Sequence, residues 1–573
     1  MRQTYEGFET WFNGLLMALK MYFVILTFLI VVHLVFTIAA VIIVVPHKSI
    51  SACCTWLLAN TLWPSAKLKY TNPNGSVVFV TAGYLASFPP LQSFVVSEFS
   101  KIKTIFFYCS FVYFFYFFIL SKYKKRASEQ SARKYVRGAK KMEGEEYFVA
   151  AKKKKDQLDL PFGKIKMPVA AETEHCFIIG RPSTGKTNLC CQLIERIKER
   201  KDRAVVYDFK SDYLTKFYNP KEDLIFNPLD ARSLGWNLFN EIETFMDVDA
   251  ITSSLIPPTI SSTDPFWNDA ARDVLAGIIH FLYKNNHKTN QWIWELVTAD
   301  GNIINQNLKS IPEGQRGYRY IEDASSKQAL SVFSVMMQYA KCFEFMAKND
   351  GDFTLQNWLD SGKGMIFITN YSSVQDTLRP ILSLFIDLLS RKLLSMPDSR
   401  ERKIFFILDE FGTLQRLSSI IRLLTLSRSK GGSAFIAIQD YGQIDRLYSK
   451  DHRQSILNAC GSGVVFSMAD PVSAEISSSK LGEIEYFETE TTHSMGVNTY
   501  RDGISLSERK KREKLFMPSE LMDLEKLTAV VKFSDYDPVI SKFFYKKYPN
   551  VAEAFAMRSD LRLLSGTNQP ENG

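Results

Sequence analysis

The chain has 573 residues, 46% hydrophobic, 13% aromatic and 23% charged, with Lys+Arg 70 against Asp+Glu 61 and a formal charge of +9. This composition excludes a disordered or fibrous chain and a small disulfide scaffold, and the length allows about three or four domains at roughly 150 residues each. The eight cysteines, Cys53, Cys54, Cys109, Cys176, Cys190, Cys191, Cys342 and Cys460, include no C-x-x-C pair and have no His at zinc spacing, so nothing supports a metal or redox site of that kind.

From Met21 to Val45 the chain runs 25 residues without an acid or strong base, longer than the roughly 20 that a helix needs to cross the hydrocarbon layer. The stretch is too long for a signal-peptide core, and Pro46-His47-Lys48 follows it in place of a cleavage site, so an uncleaved anchor is expected. His33 within it reads as a packed polar residue or a proton relay. A second apolar run, Thr104 to Leu120, has 17 residues with Lys101 and Lys103 before it and Lys122, Lys124, Lys125 and Arg126 after it. Snorkelling lysines extend it to a second span, with a buried soluble helix as the alternative. The predicted anchor is therefore 1–120, with spans at about 21–45 and 102–120 and an extracytoplasmic loop at 46–101. In that loop Cys53 and Cys54 read as unpaired small residues, or as partners in an intermolecular disulfide.

The next segment, Ser121 to Lys166, carries 15 Lys+Arg against 6 Asp+Glu, an excess as large as that of the whole chain. The surplus charge thus lies beside the membrane. It speaks for a cytoplasmic location of this stem, of the N-terminus and of everything downstream, and for contact with anionic lipid head groups. It carries no separate information about DNA.

Beyond the stem, a short apolar strand leads into Gly180-Arg181-Pro182-Ser183-Thr184-Gly185-Lys186-Thr187, and a helix from Asn188 to about Lys201 is expected after it. Strand, glycine-rich turn and helix form the P-loop context, in which backbone N–H groups and the helix N-terminus cradle phosphate oxygens. Lys186 is expected on the β/γ-phosphates and the Thr187 hydroxyl on Mg²⁺, so that ATP and Mg²⁺ are the predicted cofactors. The run Lys403 to Leu408 reads as a strand buried on both faces, with Asp409 and Glu410 emerging at its C-terminal edge. Asp409 is expected in the Mg²⁺ shell, and Glu410 as the base that orients and deprotonates water. Further apolar runs, 204–209, 364–370, 433–439 and 463–467, complete a doubly wound, mainly parallel α/β sheet. Gln439 closes one of them, either near the γ-phosphate or as a solvated strand end.

Between Lys186 and Asp409 lies more chain than such a core requires. Residues 241–349 lack strand-like runs and show helical patterns, notably DPFWNDAARDVLAGII from Asp264, and read as an all-α insertion. The nucleotide-binding domain then comprises 167–240 and 350–548, after a stem at 121–166, with 549–573 as a short polar tail.

In this order, the two spans, GRPSTGKT, VVYDFKSDYL, FNPLDARSLGWNLFNEI, PFWNDAARDVLAGII, ILDEFGTL and the strand ending in Gln439 resemble the TraD/TraG class of conjugative coupling proteins. The resemblance covers most of the chain, although only the P-loop is specific by itself. It implies a RecA-like, homohexameric motor in the bacterial inner membrane that accepts relaxase-bound single-stranded DNA at a type IV secretion channel, with DNA-stimulated ATP hydrolysis. It also places Arg428, in LSRSKGG, at the position of an arginine finger that reaches a neighbouring subunit, against the alternative of a helix-end cation. About 25 residues follow Tyr548, so the long acidic extension with which some members dock a relaxosome protein is not expected. The competing readings are a coupling ATPase chiefly for proteins, an FtsK-like translocase and a non-hydrolysing nucleotide-binding scaffold. An ABC-type transporter ATPase lacks its LSGGQ-like signature here.

Overall fold

A helix over Arg2–Val44 opens the chain in the computed structural model, which describes residues 2–72, 74–111, 113–114, 121–122, 134–259, 265–494 and 503–561. Within that helix Tyr22–Val44, 23 residues of mean hydropathy 2.8, is almost entirely unburied, and among the described residues it is the one stretch long and apolar enough to span a membrane. The second predicted span starts inside the helix Pro89–Cys109, but its residues 112 and 115–120 lie outside the described residues, as do 123–133 of the stem and 562–573 of the tail. His33 is buried, its ring 4.6 Å from that of Phe106 and 5.3 Å from that of Tyr113. Between the two apolar helices come a helix over His47–Thr61, an antiparallel hairpin of β1 (Lys67–Thr71) and β2 (Val77–Thr81), and a short helix over Ala82–Ala86. Cys53, Ala59, Ala82, Leu85, Leu91 and Val95 form their small core. All eight cysteines are free, Cys53 buried and Cys54 exposed.

Two compact units divide the chain: Met1–Lys134 with Phe487–Arg509, and Tyr135–Tyr486 with Lys510–Gly573. The second holds the sheet. Its strands follow β3 (Lys134–Gly138) and the hairpin β4 (Leu158–Phe162) and β5 (Ile165–Pro168). They are β6 (Cys176–Ile179), β7 (Arg203–Asp208), β8 (Leu224–Phe226), β9 (Met365–Thr369), β10 (Ile404–Leu408), β11 (Gly432–Ile438) and β12 (Ser462–Phe466). After β13 (Glu483–Ser494) and β14 (Gly503–Lys514) come β15 (Thr528–Lys532) and β16 (Val539–Lys542), and the nine strands run in the order β16-β15-β12-β6-β11-β10-β7-β9-β8. From β12 to β8 every pairing is parallel; β15 and β16 join antiparallel at one edge.

Parallel strands need cover on both faces, and the side-chain period of two distributes it. Ile178, Val206, Phe405, Ile407 and Phe435 join Leu189, Leu193 and Ile197 of the helix Lys186–Glu199 in one core. Their neighbours Ile179, Val205, Phe406, Leu408 and Ile436 join Leu378, Ile381 and Phe385 of the helix Gln375–Ser395 in another. This matches the mainly parallel, doubly wound sheet expected from the apolar runs. The sequence reading did not include β8, β15 and β16, because three to five residues between polar flanks give no periodic signal.

Between β8 and β9 the chain runs through helices Phe245–Leu255, Phe266–Lys284, Asn290–Val297, Gly301–Lys309 and Lys327–Ala340, and the described residues from 241 to 349 contain no strand. Thr289, Asp300 and Ser326 each cap a helix start by accepting a backbone N–H, an interaction worth about 1 kcal/mol each. Ala271, Val274, Leu275, Ile278 and Ile279 of the central helix share the core that lines one face of the sheet, so these helices are fused to the sheet rather than hung from it. The described part of the segment predicted as a tail is also tied in: Arg558 donates to the carbonyls of Pro228 (2.8 Å) and Phe345 (3.0 Å).

Candidate nucleotide site

The P-loop leaves β6 at Gly180. A Cβ there would stand 2.5 Å from the Phe466 Cβ on β12, so only glycine fits. Ser183 (φ 63°) and Gly185 (φ 128°) adopt left-handed conformations that curl the loop, the arrangement that turns successive N–H groups inward as an anion nest. Arg181, Pro182 and Ser183 are exposed, whereas Thr184 is buried, its hydroxyl donating to the Arg181 carbonyl at 2.8 Å. Lys186 begins the helix and is 6% exposed; its ammonium donates to the Gly180 carbonyl and, at 3.3 Å, to that of Arg181. Burial pushes the lysine pKa down, while the charges of Glu410 and Asp409 oppose that shift. Thr187 is half-buried on the first turn.

Strand β10 delivers the two acids. Asp409 is half-buried, and each carboxylate oxygen accepts one bond: Oδ2 from the Tyr213 hydroxyl at 2.6 Å and Oδ1 from the Glu410 N–H at 3.1 Å. Burial raises its pKa, with the Glu410 charge adding to the shift and Tyr213 and Lys186 opposing it. Glu410 itself sits in the left-handed region (φ 52°, ψ 44°), a conformation that costs a non-glycine residue of order 1 kcal/mol and is concentrated at functional sites. Thr413 holds that turn, its N–H and hydroxyl both donating to the Glu410 carbonyl at 2.8 Å. From the end of β11, Gln439 Nε2 lies 2.9 and 2.8 Å from the two Glu410 carboxylate oxygens.

Tyr213 is the residue that motif reading missed. Asp208, ending β7 beside β10, accepts the N–H groups of Asp212 (2.9 Å), Tyr213 (2.8 Å) and Leu214 (2.8 Å). The turn so fixed aims the phenol at Asp409. The chain VVYDFKSDYL announces a strand ending in an acid, but no local pattern reveals that its tyrosine crosses to the neighbouring strand.

Downstream of the acids, Gln415 donates from Nε2 to the carbonyls of Ser254 (2.7 Å) and Leu255 (3.1 Å) at the end of the first helix of the insertion. Asp387 receives the Ser419 N–H at 2.7 Å, the Ser418 hydroxyl at 2.8 Å and the Arg391 guanidinium at 3.0 Å. Burial pushes that carboxyl up, but Arg391 and the serine bonds outweigh it and hold the pKa below the usual carboxylate range. The loop after Glu410 is thereby anchored to two helices.

The structure brings Lys186, Asp409, Glu410 and Gln439 to one end of the sheet, and leaves Arg428 at the other. Arg428 lies on the turn Ser427–Lys430 that enters β11, a seven-residue strand spanning about 23 Å at ~3.3 Å per residue. Its side chain is 63% exposed and meets Glu174 at 2.9 Å, beside a cleft of about 610 Å³ lined also by Arg400, Arg402 and Lys403. Within one chain it does not approach the P-loop.

A P-loop strand and an acid strand with one parallel strand between them, a buried lysine and an acid–amide pair place the chain among P-loop nucleotide-binding proteins. A family profile described as the DNA-binding domain of type IV secretion-system coupling proteins matches residues 159–542, and the chain belongs to that family. It is 26% identical over 461 residues to the coupling protein TraD of Escherichia coli (strain K12), covering 78% of this chain and 63% of TraD, so the chain spans less than two thirds of that relative's length. Its fold is similar to that of the plasmid coupling protein TrwB in complex with ADP and Mg²⁺ (TM-score 0.66) and with the GTP analogue GDPNP (TM-score 0.65). In both cases the identity is 26% and the match covers 74% of this chain and 98% of that one.

Proposed function

We propose that this chain is a membrane-anchored, ATP-driven coupling protein that recruits relaxase-bound single-stranded DNA to a type IV secretion channel and powers its transfer. The observation that carries the reading is the convergence of Lys186, Asp409 and the Glu410–Gln439 pair at the C-terminal edge of the parallel sheet, where such sheets bind ligands. The family membership and the resemblance to the E. coli coupling protein supply the DNA and the channel. TrwB was solved with adenine and guanine nucleotides and with Mg²⁺, which supports a purine nucleoside triphosphate, here ATP, and that ion.

Lys186 and the N–H groups of residues 180–187 hold the β/γ-phosphates. The donor set fits Mg²⁺: a hydroxyl from Thr187 and the Asp409 carboxylate, whose oxygens each keep a lone pair beyond the bonds to Tyr213 and Glu410, suit an ion that fills its shell with water and phosphate. Bound there, Mg²⁺ supplies positive charge at the reacting phosphates. Glu410 accepts the proton of the attacking water, and Gln439 fixes the orientation of its carboxylate. Arg428 completes the site of a neighbouring subunit in a homohexamer. The first span and the helix bearing Phe106, packed at His33, form a two-helix anchor that leaves the N-terminus and the ATPase in the cytoplasm, with the basic stem on anionic lipid. In this scheme 167–240 with 350–548 are the motor and 241–349 the all-α part that faces DNA and accessory proteins.

Purified full chain in detergent should hydrolyse ATP faster with single-stranded DNA, and Lys186→Ala should abolish both turnover and transfer of the conjugative element. Background turnover that Glu410→Gln leaves unchanged would favour the scaffold reading; normal DNA transfer with lost protein export in the Lys186→Ala strain would reassign the substrate to proteins.

A further inference from the structure

The order of strands assigns the two ends of a nucleotide to two flanks of the P-loop. Asp409 and Glu410 on β10 and Gln439 on β11 all lie on one side of β6, so the terminal phosphate points that way. The base end must then project over the opposite flank, formed by β12, β15 and β16.

On that flank the chain beyond β16 is bound tightly to the P-loop and its helix. The Leu527 N–H donates to the Thr184 carbonyl at 2.9 Å, and the Phe543 N–H to the Leu527 carbonyl at 2.6 Å. The Phe543 ring packs at 5.1 Å on Phe466, the residue beneath Gly180. One residue on, the Phe544 carbonyl accepts both the Asn188 and the Gln192 side-chain amides at 2.9 Å. The Lys546 N–H returns a bond to Asn188 at 3.2 Å, and its ammonium meets Glu195 at 2.6 Å. Asn188 directly follows Thr187, so this strap runs along the first turns of the phosphate-binding helix.

Phe543 is 2% exposed, yet the next two rings are not packed: Phe544 is 63% and Tyr545 72% exposed. Their backbone is held from both sides, so the two rings are presented at a fixed position beside the loop. A purine base stacks on such a surface whatever its hydrogen-bonding edge. We propose that Phe544 and Tyr545 form the wall against which the purine base of the nucleotide stacks, its phosphates being held by Lys186. This rests on the nucleotide-site reading above.

The test measures binding of ATP and of inorganic tripolyphosphate to the detergent-solubilised full chain. Phe544→Ala with Tyr545→Ala is expected to weaken ATP about tenfold and to leave tripolyphosphate unchanged, and the conservative pair Phe544→Tyr with Tyr545→Phe should retain wild-type affinity for both. Unchanged ATP affinity in the alanine pair, or equal losses for the two ligands, would overturn the stacking wall. Lys186→Ala separates the two levels of the argument: it should lose both ligands, and if it keeps them the nucleotide site itself is misplaced and the wall falls with it.

Discussion

Strands β10 and β11 carry opposite chemistry at their two ends. The C-terminal ends present Asp409, Glu410 and Gln439, each half-buried and hydrogen-bonded within the chain. The N-terminal ends present Arg428 with Arg400, Arg402 and Lys403 around an open cleft, and the ion-pair partner of Arg428 among the described residues is Glu174, whose side chain is 20% exposed. One end is preorganised and gathers the groups to which the proposed function assigns phosphate binding and water activation. The other end offers a cation that the length of a strand keeps from its own P-loop. A charge so placed acts on nucleotide only if a second subunit brings its P-loop to it, so in the proposed hexamer the contrast separates what one chain would do alone from what would need an assembly.

The largest effect should come from the assembled function. Arg428→Ala is expected to lower turnover of the oligomer about 10³-fold while leaving ATP affinity of the unassembled chain unchanged; a matching loss of affinity in single chains would break the comparison. Mixing Arg428→Ala with Lys186→Ala subunits should restore part of the activity, because in the proposed assembly each would lack a different half of a shared site. At the C-terminal end, Glu410→Gln should cost about 10²-fold or more in turnover with ATP still bound, measured by binding and hydrolysis on the same preparation. Tyr213→Phe removes a single hydroxyl from Asp409 and should weaken the Mg²⁺ dependence of turnover about tenfold, read from a Mg²⁺ titration at saturating ATP.

The smallest effect at neutral pH, and the clearest in acid, concerns His175 at the entrance to β6. It is 2% exposed, and its Nδ1 accepts the Ala434 N–H at 3.0 Å. Burial pushes its pKa down to about 4. Because the folded state binds the proton more weakly than the unfolded chain, the neutral imidazole contributes its full stability above about pH 6.5 and loses it as pH falls through about 4, a range worth about 3 kcal/mol. His175→Asn keeps an acceptor and removes the titration, so thermal midpoints taken between pH 7.5 and 4.5 should fall less steeply than those of the wild type.

The parts of this architecture that the sequence displayed are those with local periodicity or contiguous motifs. Doubly buried strands such as 404–408 read as unbroken apolar runs, and the P-loop is contiguous because one strand, one turn and one helix start build it. The acids were legible by their place at a strand end. Tyr213 was not, since its partner Asp409 lies 196 residues away and only the adjacency of β7 and β10 unites them. Nor was the strap at residues 543–548, where FFYKKY carries no pattern that distinguishes a buried ring from an exposed one.

By itself, then, the sequence determined the apolar N-terminal span, the position of the surplus charge beside it, the mainly parallel sheet and the identities of Lys186, Asp409, Glu410 and Gln439. Tertiary structure alone decided the strand order, the polar chain from Asp208 through Tyr213 to Asp409, the opposite placement of Arg428, and which rings near the P-loop remain uncovered. The reason is physical: hydrophobic period and turn chemistry act over neighbouring residues, whereas hydrogen-bond partners and burial are set by which strands the fold brings side by side.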